Sequence, residues 1–181
     1  MLQYYLKTLY SDMFQIATNN TIKLIRTAKD IGISFSKKQT SEFMSSIVES
    51  AFVEAGKNHN INVIAPKVDH EPDLYVDSLP MELKTKHKVS GEWRGGAFSK
   101  RSCEYLFISY NIIDNYLTSG VEWFAIQKYV DEGDWKGGNV GNYYATRLGL
   151  TDIIQGTLVI GDVHFKRKKY HSIHQFIPKK D

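Results

Sequence analysis

The sequence predicts one α/β domain in which an N-terminal helical segment precedes a mixed central β-sheet. Apolar side chains recur at helical spacing in residues 1–56, whereas residues 61–165 contain short runs rich in aromatic and β-branched residues. The length of 181 residues, with 42% hydrophobic and 24% charged residues, is typical of one soluble globular domain with a sizeable core. These three observations together favour a sheet flanked by helices.

The helical segment divides at "DIGISFSKK", where the apolar spacing is interrupted. The clearest helix follows over residues 40–56, because its apolar side chains line one face. Thr40 or Ser41 can cap the start of this helix, and Gly56 can end it.

The sheet is predicted from runs that have strand periodicity or strand composition. A tight turn at Ser78-Leu79-Pro80 separates two of these runs, "DLYV" and "MELKT". Residues 90–102 and 131–142 are rich in glycine and are expected to form loops, and residues 143–155 are expected to form a short helix. The predicted strands are 61–66, 73–76, 81–85, 104–112, 121–130 and 157–165, and a basic tail follows at 166–181.

The positive charge is concentrated in two stretches, although the net charge is only +3. Six lysines or arginines and a single acid lie between Lys84 and Arg101, and six more with no acid lie between Lys166 and Lys180. Such local basic stretches indicate an anionic partner with a defined footprint. The alternative is a solvated, lysine-rich surface.

The compartment is expected to be the cytoplasm. The sequence has no apolar run of transmembrane length, and its amphipathic N-terminus lacks the features of a signal peptide, so no membrane association is expected. The single cysteine, Cys103, cannot form an internal disulfide, which fits a reducing environment.

The stretch "PDLYVDSLPMELKTK", residues 72–86, contains the candidate chemistry. Strand alternation places Glu82 and Lys84 on one face, and an antiparallel pairing would bring Asp73 beside Glu82. Two adjacent carboxylates repel unless a positive charge lies between them. Mg²⁺ is the simplest such charge, because it prefers oxygen ligands and commonly takes one or two carboxylates. Lys84 then remains to orient a water molecule or to neutralise charge on a phosphate.

Pro72-Asp73 followed by Glu82-Leu83-Lys84 resembles the motif of the PD-(D/E)xK nuclease superfamily. The helix predicted over residues 40–56 also resembles the helix that precedes the catalytic hairpin in that superfamily. Among its members, the chain is most similar to a small type II restriction endonuclease, in its size, its basic loop after the motif and its two aromatic strands.

The resemblance implies a restriction-endonuclease-like core in which residues 73–85 form the catalytic hairpin. It implies Mg²⁺-dependent hydrolysis of phosphodiester bonds in double-stranded DNA by a homodimer. Asp73 and Glu82 would be metal ligands, and Lys84 would be the catalytic lysine.

Further carboxylates are candidates for the same site. Some members of the superfamily add a glutamate from the preceding helix, and Glu42 and Glu49 are the two candidates here, of which we favour Glu49 as a metal ligand. A solvent-facing role is the alternative for both. Glu71 and Asp77 are alternatives to Asp73, which we favour because Asp77 lies further along the strand.

DNA contacts are expected from the basic loop, from the glycine-rich stretch before residue 143 and from the tail. An arginine can bind guanine with two hydrogen bonds, whereas lysines contact phosphates. Ordinary solvated charges and turn-stabilising asparagines are the alternatives. The residues expected to contact DNA are Lys86, Lys88, Arg94, Lys100, Arg101, Asn139, Asn142, Lys166 and Arg167.

Three functions therefore follow from the sequence, in order of preference, with an RNA-processing nuclease as a less preferred fourth. The first is a type II restriction endonuclease specific for a short sequence. The second is a structure-specific nuclease of the same superfamily, such as a junction resolvase or a repair nuclease. The third is a DNA-binding protein without catalysis.

Overall fold

The structure is a computed structural model. It describes residues 2–68, 70–87, 92–95, 102–114, 119–131 and 134, and six short strand segments after residue 138. Side chains are described for residues 8–68, 70–87, 102–113, 119–131 and 134.

Two helices precede the sheet, as predicted. Helix α1 spans Leu2–Asp30 and helix α2 spans Lys37–Asn58. Ser36 is the N-cap of α2: its hydroxyl accepts a hydrogen bond from the backbone N–H of Gln39, whose side chain accepts one from the backbone N–H of Ser36. The predicted caps were therefore wrong, since Thr40 and Ser41 lie inside the first turns of α2.

Gly56 lies in the last turn of α2 instead of ending it. A Cβ atom at this position would stand 2.5 Å from Cγ2 of Val63, so glycine permits the close approach of the helix to the first strand. The helix continues for two residues and ends at Asn58.

The strands are short at the two ends of the sheet and long in its middle. Six of them form one sheet in the order β1-β2-β3-β5-β6-β10. The pairing of β3 with β5 is parallel and the other pairings of this sheet are antiparallel, so the predicted mixed sheet is confirmed. The strands are β1 (Val63–Ile64), β2 (Leu74–Val76), β3 (Leu79–His87), β4 (Glu92–Gly95), β5 (Cys103–Asp114), β6 (Ser119–Val130), β7 (Asn139–Val140), β8 (Tyr143–Tyr144), β9 (Thr146–Gly149), β10 (Leu158–Ile160), β11 (Val163–Phe165) and β12 (Lys168–Tyr170).

The two helices pack on one face of this sheet. Tyr10 of α1 donates a 2.5 Å hydrogen bond to Gln127 of β6, and Trp123 donates one of 2.8 Å to Thr18. The core between helices and sheet contains Leu9, Tyr10, Met13, Phe14, Ala17, Val48, Ala51, Phe52, Ala55, Val63, Leu74, Met81, Leu83, Leu106, Ile108 and Ala125.

The opposite face of the sheet carries the polar residues of β3. Met81 and Leu83 face the helical core, so the alternating residues Glu82 and Lys84 project away from it, as the strand periodicity predicts. In the parallel pairing, Glu82 is in register with Tyr105 of β5. Tyr105 is completely buried, which gives the candidate residues a low-polarity neighbour.

The turn between β2 and β3 differs from its prediction. It consists of Asp77 and Ser78, both with positive φ (47° and 71°), and Pro80 lies within β3. A two-residue hairpin favours this geometry because its twist matches that of the strands. The sequence signal at Ser78-Leu79-Pro80 was therefore misplaced.

Several predicted loops and a predicted helix contain strands instead. Residues 92–95 of the expected basic loop form β4, which pairs with β9. Residues 139–140 of the expected loop 131–142 form β7, which pairs with β8. The helix expected over residues 143–155 was wrong where β8 and β9 occupy it. The predicted strand at 157–165 is divided into β10 and β11, and part of the tail forms β12.

The membrane prediction can be compared with the helices. In the part of the chain that the structure describes, neither helix combines the length and apolarity needed to cross a membrane.

Candidate active site

The hairpin of β2 and β3 positions the first candidate carboxylate. The ladder between these strands runs from Val76–Leu79 to Leu74–Met81, and Asp73 immediately precedes its last pair. Oδ2 of Asp73 accepts a 2.7 Å hydrogen bond from the backbone N–H of Leu83. The side chain thus takes the place of a strand carbonyl at the edge of β3, and this contact fixes the carboxylate beside Glu82.

Lys84 joins the two carboxylates. Its Nζ atom lies 2.9 Å from Oε2 of Glu82 and 3.5 Å from Oδ2 of Asp73. The ammonium also donates a 3.1 Å hydrogen bond to the carbonyl oxygen of Leu83. Because an ammonium has three protons, each proton has an acceptor. The structure therefore brings together the three residues that the sequence singles out as catalytic.

The surroundings of Lys84 are largely shielded from water. The side chain of Lys84 is 15% exposed and that of Glu82 only 6%. The ring centroid of Tyr105 lies 5.7 Å from Nζ, within the range of a cation–π contact. A positive charge at this place therefore interacts with the carboxylates more strongly than it would at a solvated surface.

Burial raises the pKa of Glu82 above its ordinary value of 4.5. The charge of Lys84 and its hydrogen bond lower that pKa, while the charge of Asp73 and a hydrogen bond between the two carboxyl groups raise it. The net direction is upward. Burial is thus the main reason that the carboxyl group of Glu82 holds a proton more tightly than it would in water.

Glu49 of α2 lies within electrostatic reach of this cluster. Burial raises the pKa of Glu49, as does the charge of Asp73, whereas Lys67 lowers it. Glu42, the other candidate on α2, has a 64% exposed side chain and lies 3.7 Å from Lys38. The charge of Asp73 thus acts on Glu49, which favours Glu49 over Glu42 as a member of this cluster.

The alternatives to Asp73 have other partners. The hydroxyl of Tyr75 donates a hydrogen bond to Glu71. Oδ1 of Asp77 accepts a 3.1 Å hydrogen bond from the backbone N–H of Asn62, beyond the last pair of β1 and β2. Both carboxylates are exposed, and Asp77 serves the turn.

The donor set can be compared with the needs of a metal ion. Within the described ranges, no group of three or more His, Cys, Asp or Glu side chains is arranged to hold one. Asp73 and Glu82 form a pair of carboxylates that already share one cationic group. Mg²⁺ is commonly bound through one or two carboxylates and completes its shell with water and phosphate oxygens. The pair therefore fits Mg²⁺.

The residues expected to contact DNA are only partly described. Lys86 is half-buried in β3, two residues beyond Lys84, and on the same face by strand alternation. The backbones of Arg94 and Asn139 lie in β4 and β7. The others lie outside the described residues, namely Lys88, Lys100, Arg101, Asn142, Lys166 and Arg167.

Sequence reasoning missed two contributors to the site. One is the backbone N–H of Leu83, which holds Asp73, and the other is the ring of Tyr105 beside Lys84. The aromatic run in β5 is visible in the sequence, but the parallel register that places Tyr105 beside Glu82 is not.

Comparison with known proteins adds no assignment: no family model matches the chain, and no curated protein matches it.

Proposed function

We propose that the protein is a Mg²⁺-dependent nuclease of the PD-(D/E)xK superfamily that hydrolyses phosphodiester bonds in double-stranded DNA. The observation that carries this proposal is the convergence of Asp73, Glu82 and Lys84 at the edge of the β2–β3 hairpin. Two features of the fold support it. Helix α2 packs near the hairpin, and β3 pairs in parallel with the long strand β5.

The carboxylates of Asp73 and Glu82 would hold Mg²⁺, with Glu49 as a nearby third carboxylate. When bound, the ion would supply Lewis-acid activation of the phosphate and of a water molecule. Lys84 would place a positive charge beside the reacting phosphate and would stabilise the negative charge that develops there. Because Lys84 is largely buried, its charge would act on the phosphate more strongly than the charge of a solvated lysine.

Within the superfamily, we favour a type II restriction endonuclease that acts as a homodimer in the cytoplasm. The two basic stretches support a DNA partner. A structure-specific nuclease would use the same chemistry but would recognise the shape of its substrate. A non-catalytic DNA-binding protein would contain Asp73, Glu82 and Lys84 but would not cleave DNA.

Digestion of a sequenced plasmid, followed by mapping of the ends, tests the proposal. Mg²⁺ should give discrete fragments, EDTA should abolish cleavage, and added Mg²⁺ should restore it. Ca²⁺ should support binding with little cutting, because its looser coordination positions water poorly. An Asp73→Asn variant is the control for a contaminating nuclease.

Other outcomes distinguish the alternatives. Cleavage of branched DNA but not of plain plasmid would favour the structure-specific nuclease. Binding without cleavage under every metal would favour the non-catalytic protein. Full activity in EDTA would contradict the assignment of Asp73 and Glu82.

A further inference from the structure

The ammonium of Lys84 already occupies the position of a counter-ion between the two carboxylates. Its Nζ atom contacts Oε2 of Glu82 and Oδ2 of Asp73 at 2.9 and 3.5 Å, and both oxygens belong to the proposed metal ligands. An ammonium and a divalent cation that approach the same two carboxylates repel each other. A divalent cation bound to both Asp73 and Glu82 would therefore lie close to this ammonium and would be repelled by it.

The remaining contacts of Lys84 do not depend on the carboxylates. The carbonyl oxygen of Leu83 accepts a hydrogen bond from Nζ, and the ring of Tyr105 lies beside it. A lysine that leaves the carboxylates therefore still has a neutral acceptor and an aromatic face nearby. Its long, flexible side chain can shift between such partners without a change in the strand.

We propose that Lys84 is an internal competitor of the metal: the divalent cation must displace the ammonium from Asp73 and Glu82, so that metal binding and release of the catalytic lysine are one coupled event. This inference rests on the proposed function. In the metal-free protein the lysine neutralises the carboxylate pair, and in the metal-bound protein it is available to the phosphate.

The consequence for the metal-free protein concerns its stability. Without Lys84, the two carboxylates would repel each other at an edge that is partly withdrawn from water. A divalent cation would then remove that repulsion. Loss of the lysine should therefore lower stability in EDTA and increase the stabilisation that the metal provides.

Titration calorimetry with Ca²⁺ alone, without DNA, tests the competition. Lys84→Met removes the charge and keeps a chain of similar length. We expect this variant to bind Ca²⁺ roughly tenfold more tightly or better than the unmodified protein, because one neighbouring positive charge is removed. Thermal unfolding should show the variant to be less stable in EDTA, with the difference reduced or reversed at saturating Ca²⁺.

Two controls localise the effect. Lys38→Met removes the same charge from an exposed lysine that pairs with Glu42, and it should leave Ca²⁺ affinity unchanged. Asp73→Asn, added to Lys84→Met, should abolish the gain if the cation binds at this pair.

Each outcome bears on a different statement. Unchanged or weaker Ca²⁺ binding by Lys84→Met would overturn the competition and leave the metal site standing. A gain that survives the added Asp73→Asn change would also overturn it, since the cation would then bind elsewhere. Absence of Ca²⁺ binding in the unmodified protein and in every variant would overturn both the competition and the proposed function.

Discussion

Nζ of Lys84 lies 2.9 Å from Oε2 of Glu82, and this ion pair is almost withdrawn from water. Burying a pair of charges costs free energy of hydration that their attraction often does not recover. Replacement of such a pair by well-packed apolar residues is often neutral or stabilising. The pair is therefore better explained by chemistry than by stability, and its position beside Asp73 points to the same use.

Lys84→Ala should separate cleavage from binding. The change removes the ammonium that would stabilise charge on the phosphate, so we expect most of the cleavage rate to be lost. Specific binding of DNA in Ca²⁺ should remain nearly unchanged, because most of the expected phosphate and base contacts are assigned to other residues. Plasmid digestion and a binding assay measure the two effects, with exposed Lys38→Ala as the control. Cleavage by Lys84→Ala at the unmodified rate would make Lys84 a structural lysine.

Glu82→Gln should abolish cleavage and raise stability at neutral pH in EDTA. The pKa of Glu82 is raised in the folded protein, chiefly by burial. Protonated Glu82 therefore contributes fully to the free energy of unfolding at pH values below its ordinary pKa of 4.5. That contribution is lost as pH rises through the higher folded pKa. The neutral amide imitates the protonated form and avoids the loss. The stability difference between the two proteins should therefore grow from acidic to neutral pH.

Thermal unfolding in EDTA across this pH range measures the difference. In a chain of this size, about 1 kcal/mol corresponds to roughly 2–4 °C in Tm, so a small gain is detectable. Glu42→Gln, which changes an exposed glutamate of α2, is the matched control. A pH-independent difference between Glu82→Gln and the unmodified protein would contradict the electrostatic account.

The face of β3 that carries the site was predictable from the sequence, because strand alternation separates Glu82 and Lys84 from Met81 and Leu83. The contact between Asp73 and the N–H of Leu83 was not predictable. It depends on where the β2–β3 ladder ends, which the misplaced turn concealed.

Local composition also failed to predict strands whose partner strands are distant in the sequence. Strand β4 looks like a glycine-rich loop, and its partner β9 is more than fifty residues away. Nothing in either segment alone indicates the other. By contrast, the capping box of α2 is visible in the sequence as Ser36 followed by Gln39 three residues later. Thr40 and Ser41 offered competing capping signals nearby.

Ser78→Gly should stabilise the hairpin that carries the site. Asp77 and Ser78 both have positive φ, and a residue with a Cβ atom is strained in this region. Asp-Gly is a preferred sequence for such a two-residue turn. We expect a gain of about 0.5–1 kcal/mol, since the relief of strain is partly offset by the greater freedom of glycine in the unfolded chain. Ser78→Ala keeps the Cβ atom and should give no gain, which chemical denaturation can verify.

Tyr10→Phe should lower the stability of the protein at neutral pH and should reduce the loss of stability at alkaline pH. The hydroxyl of Tyr10 donates to Gln127, and the pKa of Tyr10 is raised strongly, first by burial and then by the charge of Glu104. Above its ordinary pKa of 10, the unfolded chain gains from ionisation of Tyr10 and the folded chain does not, so stability falls.

The phenylalanine variant loses the hydrogen bond, at a cost of about 0.5–1.5 kcal/mol at neutral pH. It should nevertheless lose less stability as pH rises past 10, because one ionisable group is absent from the unfolded state. Denaturant unfolding at neutral and alkaline pH measures both effects. Tyr129→Phe alters an exposed tyrosine and is the control. Parallel stability curves for Tyr10→Phe and the unmodified protein would contradict the role given to burial.

The last prediction separates reading of the DNA sequence from binding of its backbone. Arg94 lies in β4, in register with Arg147 of β9, and these two strands form a two-stranded antiparallel ribbon. The major groove of DNA admits such a ribbon, and an arginine that binds guanine with two hydrogen bonds contributes about 1–3 kcal/mol of discrimination. Lys100 lies outside the described residues, near the start of β5 in sequence, where we expect a phosphate contact.

Arg94→Ala should therefore lower affinity for the cognate site more than for random DNA, and Arg147→Ala should do the same if the ribbon reads the bases. Lys100→Ala should weaken both kinds of binding about equally and reduce the salt dependence by roughly one unit of slope. Competition binding in Ca²⁺ at several salt concentrations measures these ratios without cleavage. An unchanged cognate-to-random ratio in Arg94→Ala would mean that Arg94 contacts only the phosphate backbone. Sequence would then be read by other residues, with Asn139 and the basic tail as the next segments to test.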